Sequence, residues 1–121
     1  MIIHKEKHFA ICQKPTGISS QKSSDGKESM IELVAKTLSV SENDVHPIHR
    51  LDNPVGGTMV YATSKEGARE LGKLVSENKM QKRYLAVICG VPEEKAECFA
   101  TFFLRTAAKT KAMWLNVCEK G

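Results

Sequence analysis

Short apolar runs that stop at turn residues alternate with segments whose apolar residues recur at helical spacing, and this alternation constrains the fold more than any other feature. His8-Phe9-Ala10-Ile11-Cys12-Gln13 is the first run, and Lys14-Pro15-Thr16-Gly17 ends it, as a strand entering a turn does. Met30, Ile31, Val34 and Leu38 then fall at helical spacing. Ser29 and Glu32 stand where the N-cap and N3 residues of a capping box belong, so a helix is predicted from about Met30 to Leu38. Thr58 to Ala62 follows a Gly-Gly pair and reads as a strand. Thr63 and Glu66 form a second candidate capping box, opening a helix with Ala68, Leu71, Leu74 and Val75 on one face and ending near Asn78. Tyr84-Leu85-Ala86-Val87-Ile88-Cys89 is nearly continuous in apolar character, as a strand buried on both faces is, and Gly90 and Pro92 stop it. Cys98 to Leu104 and Ala112 to Cys118 are further strand candidates. Ser19 to Lys27 and Ser41 to Pro47 are polar and read as loops.

The order is strand, helix, strand, helix, strand, then two strands with no helix between them. That order predicts an α+β domain with a mixed, largely antiparallel sheet and flanking helices, not a doubly wound one. A chain of 121 residues has room for one domain. Its last strand candidate runs into Glu119-Lys120-Gly121, a turn that calls for a partner strand, so the domain is expected to be incomplete.

Composition narrows the function classes. With 41% apolar and 26% charged residues the chain is globular rather than disordered. No apolar run approaches the roughly 20 residues of a membrane span. Met1 to Lys7 holds no apolar segment after a basic start, so a cytoplasmic location is expected. Cys12, Cys89, Cys98 and Cys118 include no CxxC pair, which argues against a disulfide framework and a zinc ribbon and for small buried side chains. His46 and His49 lack a third ligand at suitable spacing, so no metal is expected. The net charge of +4 comes with two basic clusters, Lys79, Lys82 and Arg83, then Arg105, Lys109 and Lys111 in a stretch free of acids. These suit a polyanionic partner; a solvated face with no partner is the alternative.

His49-Arg50-Leu51-Asp52-Asn53-Pro54-Val55-Gly56-Gly57 carries the most chemistry. In an extended run Arg50 and Asp52 share one face and His49 and Leu51 the other. An Arg two residues from an Asp favours the ionised carboxylate, the form a nucleophile needs. Asn53-Pro54 starts a turn, and the two glycines permit close approach of a ligand. The same residue types also describe an Asp that caps a turn beside a surface Arg.

His49-Arg50-Leu51-Asp52, followed by a Gly-Gly turn, a strand and an amphipathic helix, resembles the signature of the RluA-type pseudouridine synthases. Lys82-Arg83-Tyr84-Leu85-Ala86-Val87-Ile88-Cys89-Gly90 resembles that family's Lys-x-Tyr-x-Ala strand, and Lys14-Pro15-Thr16-Gly17 its N-terminal Lys-Pro-x-Gly turn. Three motifs in the right order are far more specific than any one of them. The resemblance implies an isomerase that flips a uridine out of structured rRNA or tRNA, cleaves its N-glycosidic bond and rejoins the base through C5, with no metal or organic cofactor. It makes Asp52 the nucleophile, acting at the ribose or at the base, and Tyr84 the residue that stacks on the uracil. Arg50 would fill the space the base leaves or hold a phosphate. Lys79, Lys82, Arg83, Arg105, Lys109 and Lys111 are the expected RNA contacts, and Lys14 either joins them or decorates its turn.

The chain departs from the family at Val55, where Ser or Thr is common. It also stops short: the family's catalytic domain continues into an Arg-rich motif whose arginine pairs with the catalytic Asp. The 121 residues are thus expected to be the N-terminal portion of a single catalytic domain, inactive or nearly so alone. A non-catalytic RNA-binding module or relic is the second reading, and a small protein–protein adaptor the third.

Overall fold

The computed structural model describes residues 1–23, 26–88 and 111–115, of which 86–88 and 111–115 are described by their backbone. Two compact units result, residues 1–79 and 80–121. In the first, strands β1 (Ile2–Lys5), β2 (Phe9–Lys14), β3 (His46–Pro47) and β4 (Gly57–Ala62) form a sheet ordered β1-β2-β4-β3, every pairing antiparallel. Helix α1 (Met30–Leu38), a short 3-10 turn (Glu42–Asp44) and helix α2 (Lys65–Ser76) complete it.

Strand periodicity builds the core. Ala10, Cys12 and Lys14 alternate onto the buried face of β2, and Met59 and Tyr61 onto that of β4. Ala10 pairs with Tyr61, Cys12 with Met59, and Lys14 with Gly57 across the ladder. Helix α1 covers this face with Met30, Ile31, Val34 and Ala35, and Val45 closes the cluster. Each of the larger apolar side chains contributes about 1.5–3 kcal/mol by leaving water. Burial pushes the Cys12 thiol up to about 11, so it packs as a small apolar side chain. Cys89, Cys98 and Cys118 lie outside the described residues.

Both helix starts are capped, but only one as the sequence predicts. Glu32 accepts from the Ser29 backbone N–H, completing the capping box of α1. For α2 the cap is Ser64, not Thr63: Ser64 Oγ accepts from the Gly67 N–H at 3.1 Å, while the Thr63 N–H is committed to the His8 carbonyl. A side chain at Gly67 would overlap that same carbonyl, so close packing on the β1–β2 turn sets where α2 begins. Both helices end in the Schellman pattern, with Ser39 and Asn78 left-handed; Asn78 N–H reaches the Val75 carbonyl and Lys79 N–H that of Leu74. Along α2 the expected apolar face is half-buried at Ala68, Leu71 and Val75 and exposed at Leu74.

In the second unit β5 (Tyr84–Ile88) pairs antiparallel with β6 (Lys111–Leu115). The expected strand Ala112–Cys118 thus starts one residue earlier, and Cys98–Leu104 lies outside the described residues. Tyr84 and Leu85 are 40% and 67% exposed, against the expectation of burial on both faces. The described ribbon gives β5 one paired neighbour, β6, rather than the interior position that expectation assumed. No helix among the described residues is long and apolar enough to cross a membrane.

Candidate active site

The site is built where β2 ends and β4 begins. Residues 49–52 alternate half-buried, exposed, half-buried, exposed, so Arg50 and Asp52 share the outward face and His49 and Leu51 the inward one, as the sequence predicts. These residues belong to no ladder, so side chains supply their backbone partners. His49 Nε2 accepts from the Val60 N–H at 3.2 Å and ties the run to β4. Ser20 Oγ holds both groups of Leu51, donating to its carbonyl at 2.5 Å and accepting from its N–H at 3.1 Å.

Lys14 holds the next stretch. Period two places it on the core side of β2, and its side chain is fully buried. Its ammonium donates into a cage of carbonyls, Val55 at 2.6 Å and Pro15, Asp52 and Asn53 at 3.2 Å. The turn closes on itself through Val55 N–H to the Asp52 carbonyl (2.9 Å), and Gly17 N–H reaches the Asn53 carbonyl (2.8 Å). A Cβ on Gly56 would come within 3.3 Å of the Lys14 carbonyl and Thr16 Cγ2, so a glycine there lets the two turns touch. The Lys-Pro-Thr-Gly and Asp-Asn-Pro-Val turns are therefore one packed unit. Burial lowers the Lys14 pKa and the charge of nearby Asp52 partly opposes this. With its three N–H donors committed to the turn, Lys14 is not placed to hold an RNA phosphate.

Asp52 itself is exposed, and among the described residues nothing hydrogen-bonds or ion-pairs with its carboxylate. Arg50 is exposed too and lies beyond ion-pair distance of Asp52, so the expected stabilisation of the carboxylate by this neighbour is not realised as a contact. What the arrangement offers is an accessible carboxylate on a backbone held at both sides. Tyr84 opens β5 in the second unit. Lys79 follows α2 and pairs with Glu77 at 2.6 Å, whereas Lys82 and Arg83 are exposed and without an ion pair among the described residues. Arg105 and Lys109 lie outside the described residues, and Lys111 is placed by its backbone alone.

Ser20 and Tyr61 were invisible as site residues in the sequence. Tyr61 is fully buried on β4, and its hydroxyl donates to the Ser20 carbonyl at 2.8 Å. A hydroxyl side chain in a polar loop and a tyrosine in a strand carry no sequence signal for that job.

Comparison with known proteins adds the family. The family described as RNA pseudouridylate synthase matches residues 8–116. An uncharacterized RNA pseudouridine synthase of Haemophilus influenzae is 36% identical over 94 residues, 78% of this chain and 41% of that protein. A tRNA pseudouridine synthase C of Vibrio parahaemolyticus is 33% identical over 96 residues, 78% of this chain and 38% of its own. A ribosomal large subunit pseudouridine synthase C of Buchnera aphidicola is 26% identical over 121 residues, the whole of this chain and 38% of its own. The chain thus spans about two fifths of the length of these relatives. Among solved structures, human RNA pseudouridylate synthase domain containing 4 superposes with a TM-score of 0.57 and 27% identity, over 71% of this chain and 33% of that one.

Proposed function

This chain belongs to the RNA pseudouridylate synthase family, and from that premise we propose that it carries the nucleophilic carboxylate of an RNA pseudouridine synthase, Asp52. The observation that supports this most is the contrast at Asp52: an exposed carboxylate on a turn whose backbone is gripped by the buried Lys14 and Ser20. Catalytic groups need that combination of access and fixed position.

In the proposed reaction a flipped-out uridine loses its C1′–N1 bond, and the base turns and rejoins through a C1′–C5 bond. The C5 proton leaves to solvent and N1 takes one up, so no redox partner is required. Tyr84 stacks on the uracil and Arg50 fills the vacated stack or grips a neighbouring phosphate. Lys79, Lys82, Arg83, Arg105, Lys109 and Lys111 offset the cost of base extrusion, a few kcal/mol, by holding flanking phosphates. The substrate is structured RNA, tRNA or rRNA as in the relatives' names, and the cytoplasm is where the chain would meet it. The 121 residues form the N-terminal portion of one catalytic domain.

Because C5 loses its hydrogen, tritium release from RNA labelled at uracil C5 reports the reaction. The full gene product is expected to release tritium from tRNA or rRNA transcripts. Asp52→Asn, nearly isosteric but uncharged, lowers the rate about a thousandfold or more. Activity retained in that variant removes Asp52 as nucleophile.

A further inference from the structure

Leu51 precedes Asp52, and its backbone has a partner of an unusual kind. In a strand, the N–H and the carbonyl of such a residue would meet two groups of a neighbouring chain. Here one atom serves both, since a hydroxyl is able to donate and accept at once. Ser20 Oγ donates to the Leu51 carbonyl (2.5 Å) and accepts from the Leu51 N–H (3.1 Å), and the serine is 4% exposed. Ser20 is held in turn. Tyr61 OH donates to its carbonyl at 2.8 Å from within the core, and burial keeps that phenol protonated by raising its pKa. The preceding carbonyl, that of Ser19, accepts from the Met30 N–H at 2.9 Å, at the first turn of α1. On the inward side, Leu51 packs against the core cluster. The path from the core to the candidate nucleophile is therefore continuous: Tyr61, Ser20, the Leu51 backbone, Asp52.

We propose that Ser20 is a positioning residue for the isomerisation, setting the place of the Asp52 carboxylate through both backbone groups of Leu51, with Tyr61 fixing Ser20. This rests on the reading of Asp52 as nucleophile. Lys14 constrains the turn after Asp52, so Ser20 supplies the matching constraint before it. Removing the hydroxyl leaves the residue next to Asp52 without its backbone partner. That side of the turn is then held only by the Leu51 side chain and by His49, three residues before Asp52, and the carboxylate gains freedom there. Displacements on the order of 1 Å at a reacting group cost about a hundredfold in rate. RNA affinity depends instead on phosphate contacts spread over basic residues, which this change does not touch.

The test compares Ser20→Ala, Tyr61→Phe and Asp52→Asn with the unaltered full gene product, at a temperature where circular dichroism shows each folded. Tritium release gives kcat and KM, and amide exchange gives the protection of Leu51. Ser20→Ala is expected to lower kcat about ten- to a hundredfold with KM nearly unchanged, and to speed exchange at Leu51. Tyr61→Phe, which deletes one oxygen at the far end, is expected to do the same to a smaller extent, and it carries the test if Ser20→Ala does not fold. Wild-type kcat in a folded Ser20→Ala, a raised KM with unchanged kcat, or undisturbed Leu51 protection overturns the proposal. If Asp52→Asn remains active, the nucleophile reading has failed. If Asp52→Asn is inactive while Ser20→Ala has wild-type kcat, only the positioning role has.

Discussion

Side chains stand in for missing backbone partners at two kinds of place in this molecule, and the two differ in reach and burial. At the helix starts the substitutes are local, from half-buried side chains: Ser64 bonds the N–H of Gly67 and Glu32 that of Ser29, three residues away. Around Asp52 they are long-range and buried: Ser20 reaches 31 residues to Leu51, and Lys14 reaches 38, 39 and 41 residues to Asp52, Asn53 and Val55. A local cap ends one element and leaves its surroundings indifferent. A long-range clamp makes the turn that bears Asp52 depend on the whole of the first unit being folded. That dependence ties the position of the carboxylate to the core, and it sets an order of sensitivity that mutation is able to test.

The largest effect on stability is expected at Lys14. Lys14→Met keeps the stem in the core but withdraws the ammonium from its carbonyl cage, and some of those part-buried carbonyls lose their partner. An unsatisfied buried polar group costs about 1–3 kcal/mol, so a loss of about 2–4 kcal/mol is expected, read as a lower urea midpoint. Pseudouridine formation by the full gene product should fall further than the unfolded fraction explains, since the turn carries Asp52. An unmoved midpoint would mean that water replaces the ammonium at no cost, and the distinction between clamp and cap would collapse.

Ser64→Ala breaks the comparison from the other side. It removes an acceptor from the Gly67 N–H and the 2.9 Å partner of His8 Nδ1, both near the surface. Loss of a serine N-cap costs about 1 kcal/mol, and Ser64→Asp should restore most of it. Asp52 lies on a different turn, so activity per folded molecule should stay as it was. A loss equal to that of Lys14→Met would show that reach and burial are not what separates the two classes.

The same difference explains what the sequence discloses. Helix α1 is legible to the residue, because its apolar spacing and its Ser29/Glu32 box lie within one short window. The second cap is displaced by one residue because Thr63 and Ser64 are equally competent caps, and the choice is made by Gly67 against the distant His8 carbonyl. Strand β1 escapes notice since it is an edge strand, exposed at Ile3, His4 and Lys5, with no alternation to read, and β3 is only His46–Pro47. Lys14 shows the limit most sharply. Its residue type suggests phosphate, yet period two along β2 places it on the core face, and its partners are carbonyls, which carry no residue identity. Asp52 is legible as a candidate because its motif is contiguous, whereas Ser20, which bonds the Leu51 backbone, and Tyr61, which bonds Ser20, have partners 31 and 41 residues away.

The smallest effect isolates charge within a single local cap. Hydrogen bonding by Ser29 holds the Glu32 carboxyl below its ordinary value of 4.5, with the nearby Lys22 ammonium adding to it. A carboxyl whose folded pKa is depressed contributes stability that is fully present above the unfolded pKa and lost as pH falls through the folded one. Glu32→Gln retains a side-chain oxygen able to accept from the Ser29 N–H but has no charge to lose. At pH 7 the variant should therefore melt at a slightly lower urea concentration than the unaltered chain. The gap should narrow as the pH is taken below 4.5 and close once the carboxyl is protonated in the folded state. Lys14→Met should keep its deficit over the same acidic range, since the ammonium stays charged throughout. A Glu32→Gln deficit that persists at low pH would mean that the carboxylate's charge is not what strengthens this cap, and that the box works through oxygen geometry alone.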